Sequence, residues 1–172
     1  MSPFKNHGFT LIELLITIAI LGIVLAIAIP NFNDFLEKKR LDGAANEYLA
    51  ILQFAKSEAL KRNTAIHIIA TRVSASDWRI TAATASTCAV GDACDLKTFS
   101  SATANSILTE SAMTGISGTT IEPVRLLPSF TSTQSVLFST NNYSIRADWT
   151  VTGLTSLCIP TGAVSFGGHP AC

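Results

Sequence analysis

From Phe9 to Ile29 the chain is apolar except for Thr10, Glu13 and Thr17. At about 1.5 Å per residue this run makes roughly 32 Å of α-helix, close to the hydrocarbon thickness of a bilayer. Three readings compete for it. A cleaved secretory signal peptide has Lys5 as its basic leader and Ala26-Ile27-Ala28 as a cleavage triplet, and it predicts a mature chain beginning at Ile29. Against it, the run exceeds the usual apolar core of roughly 7–15 residues, and Glu13 lies inside it. An ordinary membrane anchor has no use for Glu13, because a carboxylate in a spanning helix costs about 2.5–3.5 kcal/mol at the centre and less near an interface. The third reading gives the acid a partner. Lys5 lies eight residues away and outside the run. A cut between Gly8 and Phe9 would place a new α-amine at the depth of Glu13. In a stack of such helices Glu13 of one subunit would meet the amine of its neighbour, so the carboxylate would set register and be paired only in the multimer.

The full length of 172 residues suits one modest domain behind this segment. Lysine and arginine total 12 and aspartate and glutamate total 12, so no global charge draws the chain to a polyanion. Past Thr71 the chain is rich in serine, threonine and alanine, a composition that fits a β-rich exported domain. Its four cysteines, Cys88, Cys94, Cys158 and Cys172, form no C-x-x-C pair, and His7, His67 and His169 are scattered. A metal site therefore has little support, and the even count reads as disulfides of an oxidising compartment. Of the three possible pairings, Cys88–Cys94 would pin the intervening loop and Cys158–Cys172 would tie down the C-terminus; this is the favoured arrangement.

Pro30 removes one helical hydrogen bond and should kink or interrupt the helix. Beyond it Leu41, Ala45, Tyr48, Leu52, Ala55 and Ala59 recur at helical spacing. Residues 31–62 thus read as an amphipathic continuation with Lys39, Glu47, Lys56, Lys61 and Arg62 on its charged face, weakened at Gly43 and stopped at Asn63. Lys38-Lys39-Arg40 reads as a solvated or headgroup-facing turn. After Asn63 the period becomes two, predicting strands over 65–72, 78–83, 96–99, 119–127, 136–139, 143–152, 157–159 and 163–166. Asn141-Asn142 makes a hairpin turn, Pro123 marks an edge or bend, and 100–118 reads as a long loop with a short helical turn. The expected fold class is α+β: a long N-terminal helix whose second half packs on an antiparallel β-sheet head.

Nothing points to catalysis or to a cofactor. Ser57 and Lys61 miss the S-x-x-K spacing, and there is no G-x-S-x-G turn or Walker loop. His67, set among isoleucines, reads as structural, and Trp78 and Trp149 as core residues.

The stretch Lys5-Asn6-His7-Gly8-Phe9-Thr10-Leu11-Ile12-Glu13-Leu14-Leu15 resembles the prepilin signal of type IV pilins and type II secretion pseudopilins. The resemblance implies a leader over 1–8, removed after Gly8 by a prepilin peptidase, and N-methylation of Phe9. It implies a transmembrane and assembly helix over 9–29 that uses Glu13, a bend at Pro30, an amphipathic continuation over 30–63, and a head over 64–172. Phe54-Ala55-Lys56-Ser57-Glu58-Ala59-Leu60-Lys61-Arg62, with lysine for the group's usual arginine at 56, is similar to the GspH/FimT group of minor pilins. The implied partners are other pilin or pseudopilin subunits, the peptidase and the inner membrane, with the head in the periplasm. The implied role is to initiate or cap a pilus or pseudopilus. Counting lysine and arginine alone, Lys5 against Lys38, Lys39 and Arg40 would set the head in the cytoplasm; the cysteines and the resemblance set it outside. Some members of the group are DNA receptors with an arginine-bearing motif near the C-terminus. Residues 161–172 here hold no arginine or lysine, which leaves Arg72, Arg79, Arg125 and Arg146 as the candidates for phosphate contacts under that alternative.

Overall fold

The computed structural model describes residues 9–74, 77–89, 91–101, 107–108 and 115–172. They form α1 (Leu11–Arg62), β1 (Ile66–Ser74), β2 (Asp77–Ala83), β3 (Asp95–Ser100), β4 (Ile107–Leu108), β5 (Thr119–Ile121), β6 (Gln134–Ser139), β7 (Ser144–Trp149) and β8 (Thr155–Cys158). The chain divides into two compact units, one ending at Leu36 and one spanning Glu37–Cys172. In the first, the large apolar side chains from Phe9 to Ile29 are exposed, and α1 is long and apolar enough there to cross a membrane. The helix is not interrupted at Pro30 but runs through it. Proline still supplies no N–H at that position.

The second unit holds the core. Its half of α1 turns one stripe inward: Leu41, Ala45, Tyr48, Leu52, Ala55 and Ala59 are all fully buried, joined by Ala44 and Ile51. Two antiparallel sheets complete the core, ordered β3-β2-β1-β5 and β4-β6-β7-β8. Alternation selects their inner faces. On β6, Val136 and Phe138 are buried; on β7, Ile145, Ala147 and Trp149 are buried while Arg146 and Asp148 face the other side. Phe138 joins the layers, its ring centroid 6.0 Å from Tyr48 of the helix, 5.9 Å from Trp78 and 6.3 Å from Phe99 of the first sheet.

The helix ends as its composition directs. Asn63 adopts φ of 50° and its N–H bonds the Leu60 carbonyl at 3.3 Å, a left-handed stop that asparagine tolerates. One turn earlier the buried Glu58 accepts from Lys61 Nζ at 3.0 Å and Arg62 Nε at 2.8 Å. The hydrogen bonds from Arg62 and then Lys61 hold its carboxyl below the usual glutamate range. A carboxyl depressed by folding contributes stability that is complete above its unfolded pKa of about 4.3 and is lost as pH falls through the lower folded value. In acid titrations of the detergent-solubilised full chain, Glu58→Gln is therefore expected to show a shallower loss of stability below about pH 4.3. Superimposable acid profiles for the two proteins would contradict that role.

Four sequence expectations need correction. Residues 163–166 are not a strand. Gly162 and Gly167 flank them at φ of 85° and 66°, in a left-handed region where the chain turns instead of extending. Phe166 is buried there against Tyr143, ring centroids 5.4 Å apart. Strand pairing comes from further on: Ile159 bridges Ala171 in parallel, with Ile159 N–H to the Pro170 carbonyl at 2.8 Å and Cys172 N–H to the Ile159 carbonyl at 2.9 Å. The strand expected over 119–127 stops at Ile121, two residues before Pro123, because proline cannot donate to a ladder. That over 143–152 stops at Trp149, where Thr150 turns the chain through a 2.9 Å bond from its N–H to the Leu154 carbonyl. Within the stretch read as a loop, Ile107–Leu108 form β4 against Phe138 and Ser139.

Candidate assembly site at the start of the helix

The apolar run contains three polar side chains, and the fold disposes of two internally. Thr10 precedes the first helical residue, and its Oγ1 accepts the N–H of Glu13 at 3.3 Å while its carbonyl accepts the N–H of Leu14 at 3.2 Å. Threonine followed three residues later by glutamate is the capping-box pattern. Thr17 returns its hydroxyl to the Leu14 carbonyl at 2.8 Å, which hides a hydroxyl within a helix. Glu13 remains. It stands in the first turn, where the helix dipole favours an anion by about 0.3–1 kcal/mol. Its carboxylate is exposed and has no hydrogen-bond or ion-pair partner among the described residues. Phe9, also exposed, lies four residues before it, just outside α1. Gly8 lies outside the described residues. The capping role of Thr10 and Glu13 was legible in the spacing T-x-x-E but is overshadowed there by the apolar run.

The other predicted site residues divide sharply. Cys88 and Cys94 are bonded with Cα atoms 5.9 Å apart, and Cys158 and Cys172 with Cα atoms 5.0 Å apart, the favoured arrangement. The four arginines do not share one sheet face. Arg72 stands opposite Trp78 on β1, so its side chain leaves on the face Trp78 takes, whereas Arg79, next along β2, leaves on the other. Arg146 lies on the second sheet in an ion pair with Asp148, donating from Nη2 at 3.1 Å, with Nε 2.9 Å from the other carboxylate oxygen; Asp148 also accepts from Ser135 at 2.7 Å. Arg125 sits in the turn after β5. His67 is half-buried, 3.3 Å from the Thr120 hydroxyl, and no group able to hold a metal ion occurs among the described residues.

Residues 3–29 match the prokaryotic N-terminal methylation motif, and residues 44–158 match the Type II transport protein GspH family. The chain is 47% identical over 53 residues to the type IV major pilin protein PilA of Myxococcus xanthus, covering 31% of the chain and 24% of that protein. It is 43% identical over 56 residues to a fimbrial protein of Pseudomonas aeruginosa, covering 33% and 36%. The chain thus spans about a quarter to a third of the length of these relatives. The crystal structure of the type IV minor pilin FimU of Pseudomonas aeruginosa superposes with a TM-score of 0.50 at 21% identity, covering 68% of this chain and 91% of that one, so the fold is pilin-like. A capped apolar helix behind a methylation motif, leading into a helix-on-sheet core matched over most of its length, marks the chain as a member of the Type II transport protein GspH family of pilins and pseudopilins.

Proposed function

We propose that the chain is a minor subunit of a type IV pilus or type II secretion pseudopilus, and that it helps to initiate or cap the filament. The observation that carries this reading is the Glu13 carboxylate: Thr10 and Thr17 are satisfied within their own helix, whereas the acid has no partner among the described residues. A prepilin peptidase cutting between Gly8 and Phe9 and methylating Phe9 leaves an amine that is still cationic, four residues before Glu13. Side-by-side packing of the 9–29 helices then pairs Glu13 of one subunit with that amine on the next. Before assembly the helix rests in the inner membrane with the head in the periplasm, where the two disulfides persist. Pro30 marks the passage from the assembly helix to its amphipathic continuation. We assign no DNA-receptor role, because Arg146 is committed to Asp148 and the arginines are divided between sheets and faces.

Shearing filaments from cells that express the full chain tests the role. The expected result is this chain in the sheared fraction at a small fraction of the principal subunit, and fewer filaments when its gene is removed. Its retention in membranes, with filament number unchanged by the deletion, would contradict the proposal.

A further inference from the structure

The two disulfides stand in different surroundings. Cys88 and Cys94, in the segment between β2 and β3, are both half-buried. Cys158 and Cys172 are unequal: Cys172 is exposed, whereas Cys158, the last residue of β8, is only 7% exposed. Cys158 stands opposite Arg146 of β7, and Asp148, two residues along, shares that sheet face. Its Oδ2 lies 3.7 Å from Cys158 Sγ. The carboxylate is fixed there, since Ser135 Oγ donates to Oδ1 at 2.7 Å and Arg146 Nη2 to Oδ2 at 3.1 Å.

The backbone also holds these two cysteines together. Ile159, next to Cys158, donates its N–H to the Pro170 carbonyl at 2.8 Å and accepts the N–H of Cys172 at 2.9 Å. Neither bond involves sulfur, so neither depends directly on the cross-link.

A disulfide opens when a thiolate attacks one sulfur and expels the other. Burial of Cys158 directs the attack to Cys172. The new bond joins the incoming sulfur to Cys172 Sγ, the Sγ–Sγ bond breaks, and its electron pair leaves on Cys158 Sγ as a thiolate. That anion would form against the Asp148 carboxylate in a site largely closed to water. Like charge and lost hydration both disfavour it, and a sulfur whose thiolate is disfavoured leaves slowly. Once formed, it is held beside the mixed disulfide by the two Ile159 bonds. It can then attack Cys172 Sγ in turn, restoring the original bond and releasing the incoming thiolate. Such a reaction within one chain benefits from a high effective concentration.

We infer that the burial of Cys158 and the charge of Asp148 seal the C-terminal disulfide against thiols, and that Cys88–Cys94 is the bond a thiol opens. The chain therefore carries one permanent cross-link, which keeps Ile159 and Phe166 in the core, and one reducible cross-link in the β2–β3 segment.

Timed reduction of the detergent-solubilised full chain tests this. Dithiothreitol is added, free thiols are capped with iodoacetamide at intervals, and peptide masses follow each bond. Cys88–Cys94 is expected to open at least about tenfold faster than Cys158–Cys172. Asp148→Asn removes the carboxylate charge and leaves Arg146 opposite Cys158. It should speed opening of Cys158–Cys172 about tenfold without changing the rate at Cys88–Cys94. Ser135→Ala removes a bond to the same carboxylate and keeps its charge, so it should leave both rates alone. With glutathione in place of dithiothreitol and an acid quench, the first adduct at this bond should be on Cys172. Faster or equal opening of Cys158–Cys172 in the unaltered chain would overturn the inference, as would an unchanged rate with Asp148→Asn. An equal acceleration with Ser135→Ala would show loosening instead of charge and overturn it too, and so would a first adduct on Cys158.

Discussion

Glu13→Gln is expected to leave leader processing and head folding intact while reducing recovery in sheared filaments by about 100-fold or more, the effect of leaving a charge unpaired at roughly 3–5 kcal/mol. The substitution is informative because Glu13 has two physical roles. As the third residue of a capped helix it sits above Thr10, whose Oγ1 takes its backbone N–H. Glutamine preserves that backbone bond and belongs to the same capping-box pattern. Were capping the whole purpose of the acid, Glu13→Gln would assemble normally. Under the pairing account, the neighbour's Phe9 amine would have no anion to meet. The companion change Thr10→Val removes the cap and keeps the charge. It should cost the helix start about 1 kcal/mol and leave incorporation nearly unchanged. Immunoblotting of sheared and membrane fractions, with the mature N-terminus verified in both variants, separates the roles. Normal incorporation of Glu13→Gln would discard the pairing argument.

The second large effect concerns stability. Replacing Cys158 and Cys172 together by serine should destabilise the head by about 3 kcal/mol on the chain-entropy account of closing a loop of that length. Removing Cys88–Cys94 should cost about 2 kcal/mol on the same account. The sequence separations are 14 and 6. The difference should widen beyond the entropy argument because of what each loop holds. The C-terminal loop carries Ile159 and Phe166 into the core and brings His169 Nε2 to Asp42 Oδ1 at 2.9 Å. The shorter loop is fastened by Asp92, which accepts from Ala89 N–H at 3.2 Å, and by Asp95, which accepts from Gly91 N–H at 3.0 Å. Urea titration of the detergent-solubilised full chain should place the Cys158/Cys172 variant well below the Cys88/Cys94 variant. The reverse order would show that the C-terminal loop is peripheral to the fold.

The legible parts of the fold were those governed by one dominant period. Leu41 through Ala59 could be read as a buried stripe because six positions at helical spacing face one way whatever lies opposite. Val136, Phe138, Ile145, Ala147 and Trp149 were similarly readable because alternation on adjacent strands needs no partner to be recognised. Elements made by tertiary closure were not. Ala163 to Phe166 alternates weakly like a strand, yet flanking glycines and a disulfide to the last residue make it a turn. Ile107–Leu108 is too short to show a period, and only Phe138 and Ser139 opposite make it a strand. At the candidate site, Glu13 stood out from its surroundings, whereas its relation to Thr10 depends on where the helix begins. Lys56 reads as part of the charged face; its bond to Gly153 spans 97 residues of sequence and has no local signature.

The pairing proposed for Glu13 requires a free α-amine at Phe9, which exists only if the bond between Gly8 and Phe9 is cut. Intact-mass and N-terminal peptide analysis of the chain recovered from filaments tests it most directly. The predicted result is a polypeptide that starts at Phe9 and carries one methyl group on its α-nitrogen, with all four cysteines oxidised. Recovery from filaments of a chain still beginning at Met1 would contradict the account, because Glu13 would then have been assembled without its counter-charge.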